Sequence, residues 1–107
     1  MSQPTLQQFK ADIFKAMANP IRIRILEELR LGGSLTVGEI QQRVQVEPSN
    51  VSQHLSIMRS HGLVTGSREG SNVRYSVSTE ELFELLDVAR SIFEKKLAEQ
   101  GRLLKES

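Results

Sequence analysis

The chain has 107 residues, of which 38% are hydrophobic and 25% charged, with a net charge of +1, two histidines and no cysteine. This is the length and mix of one small globular unit, taken here as a single domain over 1–107. Without cysteine there are no disulfides, thiolate metal sites or cysteine nucleophiles, and no apolar run approaches the roughly 18–20 residues that span a bilayer.

The opening MSQPTLQQFKADIF lacks the basic-then-apolar layout of a signal peptide, so the expected compartment is the cytoplasm. Charge is unevenly placed. Residues 49–78 carry three Lys/Arg against one Asp/Glu, while residues 79–107 carry five against seven. A mildly basic middle is a weak pointer to an anionic partner.

Residues 5–18 carry Leu6, Phe9, Ile13 and Met17 on one helical stripe. Asn19 is then a good N-cap and Pro20 suits the first position of a second helix. That helix places Ile21, Ile25 and Leu29 on one face, with Leu26 beside them, and Gly32-Gly33 ends it. Thr36 with Glu39 three residues on forms a capping box, opening a short helix with Val37, Ile40 and Val44 inward. A tight VQVE connection leads to a fourth helix over 48–61, started by Pro48 and stopped at Gly62. Residues 63–77 alternate on either side of GSN, which reads as a hairpin, with Val73, Tyr75 and Val77 on one face. A last helix begins at Ser78 or Thr79 and runs to about Gln100, roughly 33 Å. Its stripe of Leu82, Leu86, Ala89, Phe93 and Leu97 is too much apolar surface for one small core, which calls for a second copy.

The fourth helix, PSNVSQHLSIMRSH, is unusual. At 100° per residue Val51, Leu55 and Met58 form a narrow core face, and Ser49, Gln53, Ser56 and Ser60 lie opposite. A solvated helix face ordinarily carries Glu, Lys and Gln, which are better helix formers than Ser. Short donors and acceptors instead let another body approach the backbone closely. A short capped helix, a tight turn, a second helix and a hairpin make the layout of a winged helix-turn-helix, whose second helix enters the major groove with its N-terminal residues nearest the bases. Ser49, Asn50, Ser52 and Gln53 occupy that position. Gln and Asn can pair with adenine, and Ser can serve base or phosphate. His54 lies beside this set, where phosphate contact and a structural hydrogen bond are equal alternatives. Arg59, Arg68 and Arg74 are candidate phosphate clamps. Ordinary solvated polar residues are the bland reading of the same set.

The segments FKAMANPIRIRILEELR, LTVGEI, VSQHLSIMRSHGLV and REGSNVRYSV, in this order and spacing over about residues 9–77, resemble the ArsR/SmtB family of bacterial repressors. The resemblance implies a mostly α fold with a small hairpin, a homodimer paired through the first and last helices, and a promoter blocked until an inducer releases it. The pairing set is then Leu6, Phe9, Ile13, Leu82, Leu86, Ala89, Phe93 and Leu97. Double-stranded DNA is the implied partner, with an unknown small-molecule or protein effector beside it.

The chain departs from the family pattern in several places. SLTVGEI carries none of the cysteines often found there, and the last helix has no histidine. Both departures argue against metal sensing. Glu47 stands where the family usually has a serine cap, and the wing tip Gly70-Ser71-Asn72 lacks an arginine. His54 and His61 are about 10.5 Å apart along the helix, too far to share one ion. His61 is expected to serve the helix end. No nucleophile elbow, phosphate loop or HExxH motif is present. The expectation is therefore a DNA-binding regulator with no catalytic residue, metal or cofactor. The alternative is a winged-helix module used only for protein interaction.

Overall fold

A computed structural model describes residues 3–106. Its elements are α1 (Leu6–Met17), α2 (Pro20–Gly32), β1 (Leu35–Thr36), α3 (Val37–Val44), α4 (Pro48–Ser60), β2 (Val64–Glu69), β3 (Asn72–Val77) and α5 (Glu81–Glu106).

The helix starts follow from local chemistry. Thr5 Oγ1 accepts the N–H of Gln8 at 3.1 Å. Asn19 Oδ1 accepts those of Ile21 and Arg22 at 2.9 and 3.2 Å, with Pro20 at the first helical position. The capping box on α3 is complete: Glu39 N–H donates to Thr36 Oγ1 at 3.2 Å, and Thr36 N–H to Glu39 Oε1 at 3.0 Å. Glu47 makes no side-chain cap on α4. The turn between α3 and α4 passes through Gln45 at φ +55°, the one non-glycine positive φ among the described residues. Gly62, at φ +75°, ends the α4 segment as a glycine beyond a helix end should.

The core is where α2, α3 and α4 meet over the sheet. Ile25, Leu26, Leu29, Ile40, Val44, Val51, Leu55, Met58, Leu63 and Val64 are at most 2% exposed. Each such side chain contributes about 1.5–3 kcal/mol on burial. Ile21 and Val37, read as inward from the sequence, are only partly buried against this cluster.

Three features differ from the sequence reading. The hairpin is joined by a third strand: β1 pairs antiparallel with β3, Leu35 opposite Tyr75 and Thr36 opposite Arg74, giving the order β1-β3-β2. Two residues are too few to show an alternation. The last helix starts later and ends later than its signals suggest. Ser78 does not cap it, because its hydroxyl donates to the carbonyls of Gly62 and Leu63 at 2.5 and 3.1 Å, while Thr79, the other candidate, accepts the Glu81 N–H on its Oγ1 at 3.5 Å. At the other end Gly101 does not stop the helix, which reaches Glu106 and about 39 Å at 1.5 Å per residue.

Candidate nucleic-acid interface

The fourth helix divides into a docked face, an open strip and two flanks. Val51, Leu55 and Met58 are completely buried. Ser49, Asn50, Ser52, Gln53 and Ser56 are exposed along the open strip. Ser60 differs from the rest of the strip, since its hydroxyl donates back to the Ile57 carbonyl at 2.8 Å.

One flank faces the hairpin. Arg59 Nη1 lies 3.4 Å from where a Cβ on Gly66 would sit, and that Cβ would come within 3.1 Å of Val73 Cγ1 and 3.3 Å of Tyr75 Cε1. The guanidinium thus lies at contact distance over the Gly66 position, beside Val73 and Tyr75. The pairing Val64–Val77, Gly66–Tyr75 and Arg68–Val73 puts exposed Arg68 on this same sheet face. Arg59 of α4 thus lies against the sheet face that carries Arg68.

Arg74 is on the opposite face, opposite Thr36 and Ser67. It is held there by three partners. Its Nε is 2.9 Å from Glu69 Oε2, and its Nη1 is 3.4 Å from Glu39 Oε1 and donates to the Ser34 carbonyl at 3.2 Å. The sequence grouped Arg68 and Arg74 together, and strand alternation separates them. The Glu39 carboxyl is held below its ordinary value, first by the Thr36 backbone N–H, then by the Thr36 side chain, with Arg74 and Arg43 adding attraction.

The other flank faces α1 and α2. Here His54 is half-buried, and its Nδ1 accepts Arg22 Nε–H at 3.1 Å. The same guanidinium donates through Nη1 to the Ala16 carbonyl at 3.1 Å. Burial, then the charge of Arg22, hold the His54 imidazole below its usual range, toward the neutral form. His61 serves the helix end: its Nδ1 is 2.9 Å from the Ile57 carbonyl, which fixes that nitrogen as the donor. The two rings therefore have separate tasks. Among the described residues no group of three or more His, Asp or Glu side chains is placed to hold a metal ion.

Sequence reasoning missed Arg22. The signal was present: on the α2 wheel Arg22 falls at about 100° from Ile21, between Leu29 and Leu26. A cation on an apolar face needs a partner, and here it has two.

The expected pairing surface is open in part. Leu6, Phe9, Phe93 and Leu97 are 50–60% exposed, and Ala89 is exposed. Ile13 and Leu86 are half-buried against the core, and Leu82 is buried in it. Leu82 thus floors a groove of about 530 Å³ between α1 and α5, whose walls include Phe9, Ile13, Leu85 and Val88. No helix among the described residues is long and apolar enough to cross a membrane.

Comparison with known proteins gives a family and several relatives. The family model described as bacterial regulatory protein, arsR family, matches residues 19–65. A curated relative, the uncharacterized HTH-type transcriptional regulator Rv0081 of Mycobacterium tuberculosis, is 37% identical over 99% of this chain and 93% of its own length. Its crystal structure superposes with a TM-score of 0.78 at 40% identity, covering 92% of this chain and 98% of that one. The transcriptional activator HlyU of Vibrio cholerae is 36% identical over 76% of this chain and 74% of its own. The solution structure of Mb0332 from Mycobacterium bovis, described as a homodimeric winged helix-turn-helix DNA-binding domain, has a TM-score of 0.76 at 26% identity, over 91% and 94% of the two chains.

Proposed function

The chain belongs to the arsR family of bacterial regulatory proteins and is a DNA-binding transcriptional regulator, and from that premise we propose that it acts as a homodimeric repressor on a palindromic operator. The observation that carries the reading is the open strip of α4. Ser49, Asn50, Ser52 and Gln53 face outward while the opposite side is locked into the core. Short polar groups there can meet base edges in the major groove. Arg59 on the flank of α4 and Arg68 on the adjoining sheet face are the phosphate contacts of this reading.

The homodimer is supported by the apolar surface of α1 and α5 and by the homodimeric description of the Mb0332 domain. Pairing sets two recognition helices about one DNA turn apart, roughly 34 Å, so a palindromic site fits. The working compartment in this reading is the cytoplasm. The effector in this reading is not a transition metal, because the third helix has no cysteine and the last no histidine. Release of the operator at one Zn²⁺ per subunit would contradict that.

Binding to the duplex upstream of the chain's own gene, and to a random duplex pool, tests the proposal. The expected result is a salt-sensitive preference for one palindromic sequence. Binding with no sequence preference at any salt would sink it. A promoter fusion read with and without the protein settles the sign, and a rise in transcription would replace repression by activation.

A further inference from the structure

We infer that Arg22 and His54 form a positioning pair for DNA recognition: the Arg22 guanidinium ties the recognition helix to the end of α1, and His54 serves DNA binding through Nδ1 rather than as a direct DNA contact. The inference rests on the DNA-binding reading of α4 and goes beyond it, because it moves His54 out of the contact set.

The geometry is that of a clamp. Arg22 sits on the buried side of α2. Its Nε–H reaches His54 Nδ1 on α4 and its Nη1–H reaches the Ala16 carbonyl in the last turn of α1, both at 3.1 Å. One rigid fork therefore joins three helices. Nδ1 can accept from an arginine only when it carries no proton, so the ring is neutral with its proton on Nε2. On the α4 wheel His54 lies roughly 100° from Gln53, on the flank that turns to α1 and α2. The charged and titratable groups near that flank are Arg22 from α2, Asp12 and Lys15 from α1, and His61 farther along α4. Arg22 is the one of these that His54 feels. A recognition helix must hold its pitch in the groove to bring Gln53 and Ser49 to the bases, and misplacement by about 1 Å weakens each contact. To the packing of Val51, Leu55 and Met58 the clamp adds a directed bond at the middle of the helix.

Two substitutions of His54 separate positioning from contact. Asparagine places Oδ1 near the position of Nδ1 and keeps an acceptor for Arg22. Glutamine places its amide near Nε2 and keeps a donor for DNA, but not the acceptor. The probe is the duplex that the wild-type chain selects from a random pool. His54→Asn should keep affinity within about threefold, while His54→Gln and Arg22→Met should each lose about tenfold, the weight of one charge-assisted hydrogen bond. Arg22→Met should leave the slope of log affinity against log salt unchanged. In the free protein the His54 ring nitrogens should report the Nε2–H tautomer by NMR, and Arg22→Met should mix the tautomers and raise the ring's titration midpoint. Retention by Gln with loss by Asn would make His54 a direct contact and overturn the inference. A salt slope reduced by about one ion in Arg22→Met would make Arg22 itself the phosphate contact and overturn it too. Ring signals indifferent to Arg22→Met would overturn the clamp while the DNA reading stood. A wild-type chain without sequence preference would overturn the DNA reading, with the ring signals still reporting the clamp.

Discussion

Arg74 Nη1 lies 3.4 Å from Glu39 Oε1, the same oxygen that accepts the backbone N–H of Thr36 at 3.0 Å. The wing is therefore fastened to the first turn of α3 through the capping box, and Arg74 is engaged on the sheet face opposite Arg68. This divides the two arginines by role. Arg68→Ala should weaken binding to all duplexes about equally and lower the salt slope by about one. Arg74→Ala should change the salt slope less and cost about 1 kcal/mol or less of stability, as exposed ion pairs do. Binding isotherms at four salt concentrations check both, and equal slopes for the two variants would contradict the division.

The Glu39 carboxylate also sets a pH dependence. Its folded value lies below the ordinary 4.5, chiefly through the Thr36 backbone N–H. The unfolded state then binds the proton more readily, so the ionised form's contribution is fully present above about pH 4.5 and is lost as pH falls through the folded value. Glu39→Gln keeps a side chain that can complete the capping box but cannot titrate. Urea midpoints between pH 6 and 3 should fall more steeply for wild type than for this variant. Parallel curves would remove Glu39 from the acid response.

Gln53, like Asn50, is an exposed residue equipped to read a base, since its amide can both donate to and accept from adenine. Gln53→Ala should cost roughly 1–3 kcal/mol on the selected operator and relax preference at one base pair per half-site. Competition against single-base variants of the site measures this. A uniform loss across all variants would make Gln53 a backbone contact.

Glu47 offers a gain in stability. It precedes Pro48 at the start of α4 and makes no side-chain cap. Glu47→Ser supplies a hydroxyl of the right length to accept from the first turn, where the Asn50 N–H now reaches only the Glu47 carbonyl at 3.0 Å, and should add about 0.5–1 kcal/mol. Thermal melts of the two proteins test it, and an unchanged or lower midpoint would show that the turn cannot present the hydroxyl.

Helix starts were legible where single side chains decide them: Asn19, Pro20 and the Thr36–Glu39 pair each act within three or four residues. The inner face of α4 was legible because Val51, Leu55 and Met58 leave one spacing possible. What the sequence hid is what two distant segments make together. The two-residue strand Leu35–Thr36 exists only because β3 lies beside it. The opposition of Arg68 and Arg74 depends on a hairpin register, and the Arg22–His54 bond joins residues 32 positions apart. For the binding site, the composition of α4 named the open strip, while the flanks of that strip were set by tertiary packing.

Phe93 tests the proposed dimer. It is 60% exposed on the α5 stripe, with Leu97 at 50% and Phe9 of α1 at 55%. A lone exposed phenylalanine is unremarkable, but a run of them along two helices is the surface that a second copy would cover. Phe93→Glu places a charge where burial would strand it unpaired, which costs several kcal/mol in an interface, while the protomer core is untouched. Sedimentation should show a monomer with a wild-type circular dichroism spectrum. Operator affinity should fall more than a hundredfold, because one recognition helix then binds one half-site without the linked gain of the second. A dimer that survives Phe93→Glu would move the interface off this stripe of α5, and the half-site spacing expected for the operator would have to be derived from another pairing.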